Sequence, residues 1–529
     1  MVSANKIQVR TIALLASAVA ALVLAVAPIL HAQTTDSDIN LRRLADAVKA
    51  INESQLAPAE ELLNAILKTA PNDPDALNLL GVVRAKQSRA TEAERLFRRA
   101  LARSPSHLSA HINLGELLLN NNRPAEAMPI LLRAHKLAPD RPEINLNLAR
   151  LHADKDSYQQ AYDYLRLVTR ENFSDDYFLL MARSLMALKR TNDLPALIAE
   201  FRELSPEAPE THAAFAMQLA KGGFNDDALR ILNAAYQKSP TSFPVLYGLG
   251  LITAGLKQFD KADQYFSAAL AIKPDDVATL RALARVARSN GNLEKSLSHL
   301  VEARRLAPNS PAVLYDFGVT AFQMDLFLDA LPVFERLHRD HPREPAYLYG
   351  LAAVRWRKGE TVETARLMNS YITLQPRDAS GYYLLGAALL RQDLFVEAQA
   401  ALKRSFSLKA DPETEFLLGV ASEKLGDRAA AIETFRRVIK ARPDHAAALS
   451  ALGAAYREAG NFTEAQAALE RAVELDQNDL RATYQLGLVY SKLGNSEAAK
   501  RMFARADDLR GQQRNLESVV LKLIDSPQN

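Results

Sequence analysis

The stretch Leu452–Asp476 reads LGAAYREAGNFTEAQAALERAVELD. A large residue, Leu452, precedes a small one, Gly453; twelve residues after that glycine stands Ala465, and four further on stands Leu469. Gly460-Asn461 breaks the run between them. Apolar side chains at three- and four-residue intervals on both sides of the break describe two helices. Glycine followed by asparagine at the break favours the positive φ of a tight turn. Helices that meet at a glycine and an alanine can approach closely, and Leu469 is then the knob that fills the gap the small residues leave.

Outward from this stretch the same grammar recurs. A small residue stands at Gly81, Gly115, Ala149, Ala182, Ala216, Gly250, Ala284, Gly318, Ala352, Gly386, Gly419, Gly453 and Gly487, in steps of 34 residues with two steps of 33. The later alanine recurs from Ala93 to Ala499, with Leu194, Ser296 and Thr364 as departures, and the large apolar residue recurs from Phe97 to Phe503. Proline stands near the unit's end at Pro105, Pro139, Pro206, Pro240, Pro274, Pro308, Pro342, Pro376 and Pro443. Its fixed φ and missing N–H stop the second helix there. Each unit is therefore helix, turn, helix, stop, and no alternating strand pattern interrupts the series.

A helix pair of this length with Leu-Gly, then Ala, then a large apolar residue, then Pro resembles the tetratricopeptide repeat. Leu452-Gly453, Tyr456, Ala465, Leu469 and Ala472 form one close match; Leu249-Gly250, Ala262, Phe266, Ala269 and Pro274 form another. The resemblance implies an all-α fold, a right-handed α-solenoid (superhelix) of about fourteen tandem tetratricopeptide helix hairpins over residues 40–513. Residues 40–73 are a weaker first unit, with Ala47, Ala59, Leu63 and Pro71 in place but Asp46 where leucine is expected. The unit at 175–208 departs further, with Leu194 for alanine and Pro195 inside its second helix, so a kink or shifted interface is expected there. Terminal units of a solenoid need caps. Leu516, Val519, Val520, Leu523 and Ile524, at helical spacing, suit a capping helix within 514–529. Leu41, Leu44, Val48 and Ile51 form a stripe on the first helix, read as packing rather than as a partner face.

Repetition displaces the several domains that 529 residues would otherwise suggest. With 65 Lys+Arg against 62 Asp+Glu the net charge is +3, too small for a general pull on nucleic acid, so no nucleic-acid partner is expected. No cysteine is present, which excludes disulfides, thiolate metal sites and a cysteine nucleophile. Lys6 and Arg10 precede Thr11–Leu30, which carries no charged side chain. That arrangement reads as an export signal over 1–32, cleaved after Ala32 so that the mature chain begins at Gln33 with a short linker over 33–39. Left uncleaved, the same run is long enough to be an N-terminal membrane anchor. The expected location is exported, periplasmic or extracellular.

Chemistry is sparse. His107 with His111, and His338 with His341, are spaced to share a helix face, but neither pair belongs to an H-E-x-x-H and no carboxylate completes either, so no metal is expected. Gly248, Gly250 and Gly255 miss the G-x-G-x-x-G spacing, and no Walker sequence or G-x-S-x-G elbow is present. The chain is read as having no catalytic residues and no cofactor.

One constellation stands out. Positions two, five, nine and twelve of a unit share one face of its first helix, and the family resemblance implies that this face lines a concave groove. Carried onto this chain, the groove positions and their immediate neighbours are Tyr247, Arg281, Arg285, Arg288, Tyr315, Phe322, Tyr349, Trp356, Arg357, Tyr383 and Arg391. Arginine forks suit carboxylates and phosphates, and aromatic faces offer stacking surface. The leading expectation is a non-enzymatic protein–protein interaction scaffold or adaptor in the cell envelope, holding an extended, net-acidic peptide or partner protein in the groove. The alternative is a glycan module binding an anionic polysaccharide.

Overall fold

Second helices end two residues before their prolines: Ala90–Arg103 stops ahead of Pro105, Leu293–Leu306 ahead of Pro308 and Arg428–Ala441 ahead of Pro443. A residue that precedes proline is sterically turned out of the α region. Ser104, Ala307 and Arg442 accordingly take φ of −130°, −136° and −142°. Each still donates its N–H to the last turn, Ser104 to the Ala100 carbonyl at 2.8 Å.

At the other end of each hairpin one residue turns the chain through the left-handed region, always at the same register. Gly223, Gly291, Gly359, Gly426, Gly460 and Gly494 do so with φ from 78° to 87°. Ser54, Ser88, Asn122, Asp156, Lys189, Lys257, Asp325 and Asp393 do the same with φ from 55° to 61°. Glycines advertise such a turn in the sequence; the serines and lysines do not.

The computed structural model describes residues 36–204 and 207–512. The apolar run Thr11–Leu30, the expected cleavage at Ala32, Pro206 and the stripe from Leu516 to Ile524 lie outside them. Within them 28 α-helices pair as hairpins, from Asp36–Asn52 with Leu56–Thr69 to Leu480–Lys492 with Ser496–Gln512. No strand occurs among the described residues. The first helix starts at Asp36 rather than at 40. The chain divides into two compact units, one through Ile252 and one from Thr253. Within each, helices pack on their sequence neighbours, and first helices also touch the first helix of the next hairpin, as Pro74–Lys86 touches Leu108–Asn120 and Pro311–Gln323 touches Pro345–Arg357. This is an all-α solenoid.

The close approach read from the sequence is present atom by atom. A Cβ on Gly81 would stand 2.5 Å from the Phe97 ring, one on Gly115 2.5 Å from Leu131, and one on Gly419 2.4 Å from the Phe435 ring. Ala93, Ala262 and Ala465 are fully buried at the partner position. The departures Ser296 and Thr364 are buried too, with their hydroxyls satisfied: Ser296 meets the Thr320 hydroxyl at 3.1 Å and Thr364 donates to the Glu360 carbonyl at 2.9 Å.

Where Pro195 raised the expectation of a kink, the structure changes the helix start instead. Thr191–Asp193 forms a 3₁₀ turn and the α-helix begins at Leu194, so Pro195 falls in the first turn, where its missing N–H has no partner to lose. Leu194 fills the alanine's place fully buried. In the first hairpin Val48 and Ile51 are buried, Leu44 packs on the core and Leu41 is exposed, so the stripe is largely packing.

Candidate functional site

On the helix Val277–Ser289, Arg281 and Arg288 turn toward Asp316 of the next first helix, Pro311–Gln323. The Arg281 Nε donates to Asp316 Oδ2 at 2.8 Å, and Arg288 Nη2 lies 3.9 Å from Oδ1. Arg288 Nη1 also donates to the Asp316 carbonyl at 3.5 Å and to the Thr320 hydroxyl at 3.4 Å. Asp316 is fully buried. A buried carboxylate is costly unless paired, so Arg281 and Arg288 first serve this carboxylate. Arg285, between them, is exposed. Asp316 was not singled out by sequence reasoning; the signal was its distance of 35 residues from Arg281 and 28 from Arg288, which links positions on neighbouring first helices.

The expected aromatic platform is a correction. Tyr315 and Tyr349 are 1% exposed, Trp356 2% and Phe322 7%. Tyr315 packs against Phe334 and Tyr347, and Phe322 against Phe327. Tyr349 lies against Tyr371, whose hydroxyl donates to Asp378. The Arg391 guanidinium covers the Trp356 ring at 4.1 Å. Neighbouring first helices stand close enough that large side chains at positions five and twelve fill the gap between hairpins, so these rings are packing elements without an open stacking face. Tyr383 is half-buried and its phenol is pushed up by burial. Arg357 is half-buried, pairs with Asp325 at 2.7 Å and lies over Phe327 at 5.1 Å. Tyr247 belongs to the N-terminal unit, where it is half-buried and stacks on Phe243 at 5.8 Å.

His107 and His111 have structural partners. His107 caps Leu108–Asn120, its Nδ1 accepting from the Ala110 N–H at 3.2 Å and its Nε2 lying 3.1 Å from Asp75 Oδ1. His111 Nε2 donates to the Pro105 carbonyl at 3.0 Å. Burial pushes the His338 imidazole down, with Arg366 adding to it. Among the described residues no group of three or more His, Cys, Asp and Glu side chains is placed to hold a metal, and no helix is long and apolar enough to cross a membrane.

Three features of the surface carry more information. On the first helix Leu108–Asn120, burial pushes the Glu116 carboxyl up to about 7, reinforced by Glu143 and opposed by Arg150 and Asn147. On three consecutive second helices, Leu328, Val362 and Val396 occupy the same second position and are 86%, 70% and 67% exposed. Across the turn ends of the last hairpins, Arg428, Arg457, Glu458, Phe462, Ser491 and Lys492 are among the residues lining a cleft of about 410 Å³.

A model of the tetratricopeptide repeat matches residues 40–107, 83–142, 315–379 and 416–479, and a second model of the same repeat matches 123–184, 223–286 and 456–523. These segments take in more than two-thirds of the chain. The chain is a tetratricopeptide-repeat protein. Residues 185–222, which hold the 3₁₀ turn and Pro195, fall between the matched segments of this tetratricopeptide-repeat chain.

Two curated relatives are similar to parts of this chain. Protein O-mannosyl-transferase TMTC3 of Homo sapiens is 24% identical over 200 residues, 37% of this chain and 22% of that protein. BBSome complex member BBS4 of Bos taurus is 23% identical over 223 residues, 42% of this chain and 43% of that protein. The chain thus spans less than half the length of either relative. Among solved structures, the APC/C hetero-tetramer Cut9-Hcn1 is similar at 14% identity and a TM-score of 0.42, covering 80% of this chain and 96% of that one. YrrB, described as a TPR protein with an unusual peptide-binding site, is similar at 18% identity and a TM-score of 0.28, covering 34% of this chain and 92% of that one. Tetratricopeptide repeats in general build protein–protein interaction scaffolds, and that coarse role holds for this chain.

Proposed function

We propose that this tetratricopeptide-repeat chain is a non-enzymatic scaffold of the cell envelope that holds an extended partner polypeptide across several consecutive hairpins. The observation that carries the reading is the apolar ladder Leu328, Val362 and Val396. A lone exposed aliphatic side chain needs no explanation, but three at one register on successive hairpins form a repeating surface that solvent does not reward. A partner that meets all three must extend along the stack. Of the groove residues in the C-terminal unit, Arg285 is exposed and Arg281, Arg288, Arg357, Tyr383 and Arg391 are half-buried; with Arg281 and Arg288 turned to Asp316, the other four are the ones a net-acidic partner can reach. The export reading rests on the Lys6 and Arg10 flank and the uncharged run Thr11–Leu30.

Crosslinking in the native host, followed by purification of the full chain, tests the proposal. The triple variant Leu328→Gln, Val362→Gln, Val396→Gln and the single variant Arg285→Glu are expected to lose a partner that the wild type retains. If both variants retain it at the wild-type level, neither surface holds the partner and the reading fails. N-terminal sequencing of the same material is expected to begin at Gln33; retention of Met1 in a cytosolic fraction overturns the export reading, and retention of Met1 in membranes selects the anchor.

A further inference from the structure

We propose that the cleft across the last hairpins is a docking site for an acidic side chain, a glutamate or aspartate carried on the partner polypeptide. The inference deepens the scaffold reading by naming the chemistry of one subsite, and it rests on that reading. The cleft is assembled from three consecutive hairpins. Arg428 begins the helix Arg428–Ala441, and Arg457 and Glu458 lie in the last turn of Ala446–Ala459. Phe462 begins the helix Phe462–Leu475, and Ser491 and Lys492 end Leu480–Lys492.

Charge balance points to the ligand. Three cations, Arg428, Arg457 and Lys492, face one carboxylate, Glu458, in the cleft lining. That carboxylate is spent within the site: Arg428 Nη2 reaches its Oε2 at 3.1 Å and Arg457 Nη2 its Oε1 at 3.4 Å. The Lys492 ammonium forms no ion pair among the described residues, and the Arg457 Nε is buried without a hydrogen-bond acceptor. A desolvated guanidinium N–H without an acceptor is uncommon in a folded protein and marks a place where an acceptor is missing. An incoming carboxylate supplies it and cancels part of the local excess positive charge. The wall decides between acidic ligands. Phe462 and Leu488 give the cleft an apolar side, which suits the methylenes of an acidic side chain and does nothing for inorganic phosphate.

The test uses the full mature chain and a fluorescein-labelled octapeptide rich in glutamate, with the matched glutamine peptide as control, read by fluorescence anisotropy. The glutamate peptide is expected to bind, the glutamine peptide to bind at least roughly tenfold more weakly, and Lys492→Glu to weaken the glutamate peptide by a similar factor. Raising salt is expected to erode the difference between the two peptides. Arg457→Lys keeps the charge but loses the fork, and is expected to weaken binding while the circular-dichroism spectrum stays that of the wild type. Equal binding of the two peptides, or indifference to Lys492→Glu in a folded variant, overturns the proposal. So does binding of inorganic phosphate without the peptide. If the partner found by crosslinking still depends on Leu328, Val362 and Val396 while Lys492→Glu has no effect, the cleft fails and the scaffold stands.

Discussion

The Cγ of Leu469 lies 2.4 Å from the point where a Cβ on Gly453 would stand. Non-bonded carbon atoms do not sit that close, so the two helices of this hairpin meet at a distance that only glycine permits. The same relation joins Gly419 to Phe435 and Gly386 to Leu402.

Gly453→Ala is therefore expected to destabilise by about 1–3 kcal/mol through overpacking. Gly255→Ala is the control, since nothing stands within 4 Å of its Cβ position, and it is expected to be neutral or slightly stabilising. Urea titration followed by circular dichroism measures both. Equal midpoints for Gly453→Ala and wild type would show that the close approach is absent.

The turn register gives a second expectation. Lys257 takes φ of 59° where six other hairpins place glycine. A left-handed conformation costs an ordinary L residue about 1–2 kcal/mol, and part of that is returned to the unfolded chain by glycine's greater freedom. Lys257→Gly should stabilise by about 0.5–1 kcal/mol, and Gly359→Ala should destabilise by about 1 kcal/mol. Thermal melts that show the opposite signs would contradict the turn geometry.

Glu116 makes stability depend on pH. In the folded chain its carboxyl keeps its proton up to about 7, against an ordinary value of 4.5. Between those values the folded state binds more protons than the unfolded state, so this group's contribution to stability falls as pH rises through that window. Glu116→Gln should remove the slope and be more stable than wild type at about pH 8, by no more than about 3 kcal/mol. Denaturation from about pH 5 to about pH 8 checks it, and parallel curves for the two proteins would refute it.

The arginine trio should divide in two. Arg281→Ala leaves the buried Asp316 carboxylate short of its 2.8 Å partner and is expected to cost on the order of 3 kcal/mol. Arg285→Ala, at an exposed position, should lie within about 0.5 kcal/mol of wild type. Replacing the pair together, Arg281→Met with Asp316→Leu, should cost less than Arg281→Ala alone, because the fully buried carboxylate is removed along with its 2.8 Å partner. A cost for Arg285→Ala equal to that for Arg281→Ala would mean that Asp316 does not organise the trio.

The sequence by itself determined the repeat: its period, the two helices of each hairpin, the glycine and alanine at the close approach, and the knob sixteen residues after Gly81, Gly419 or Gly453. These are local properties, written within one hairpin and repeated, and helix periodicity, turn chemistry and proline sterics suffice to read them. Tertiary structure alone decided which groove residues face solvent. Trp356 is buried because Arg391, 35 residues later, covers it, and Arg281 is committed because Asp316, also 35 residues later, is buried beside it. The 3₁₀ start at Thr191 and the left-handed turn at Lys257 were likewise invisible, since a lysine or threonine carries no mark of the backbone it is made to adopt. Accessibility and pairing depend on side chains that a neighbouring hairpin contributes, and those change from hairpin to hairpin while the period that gives the fold stays constant.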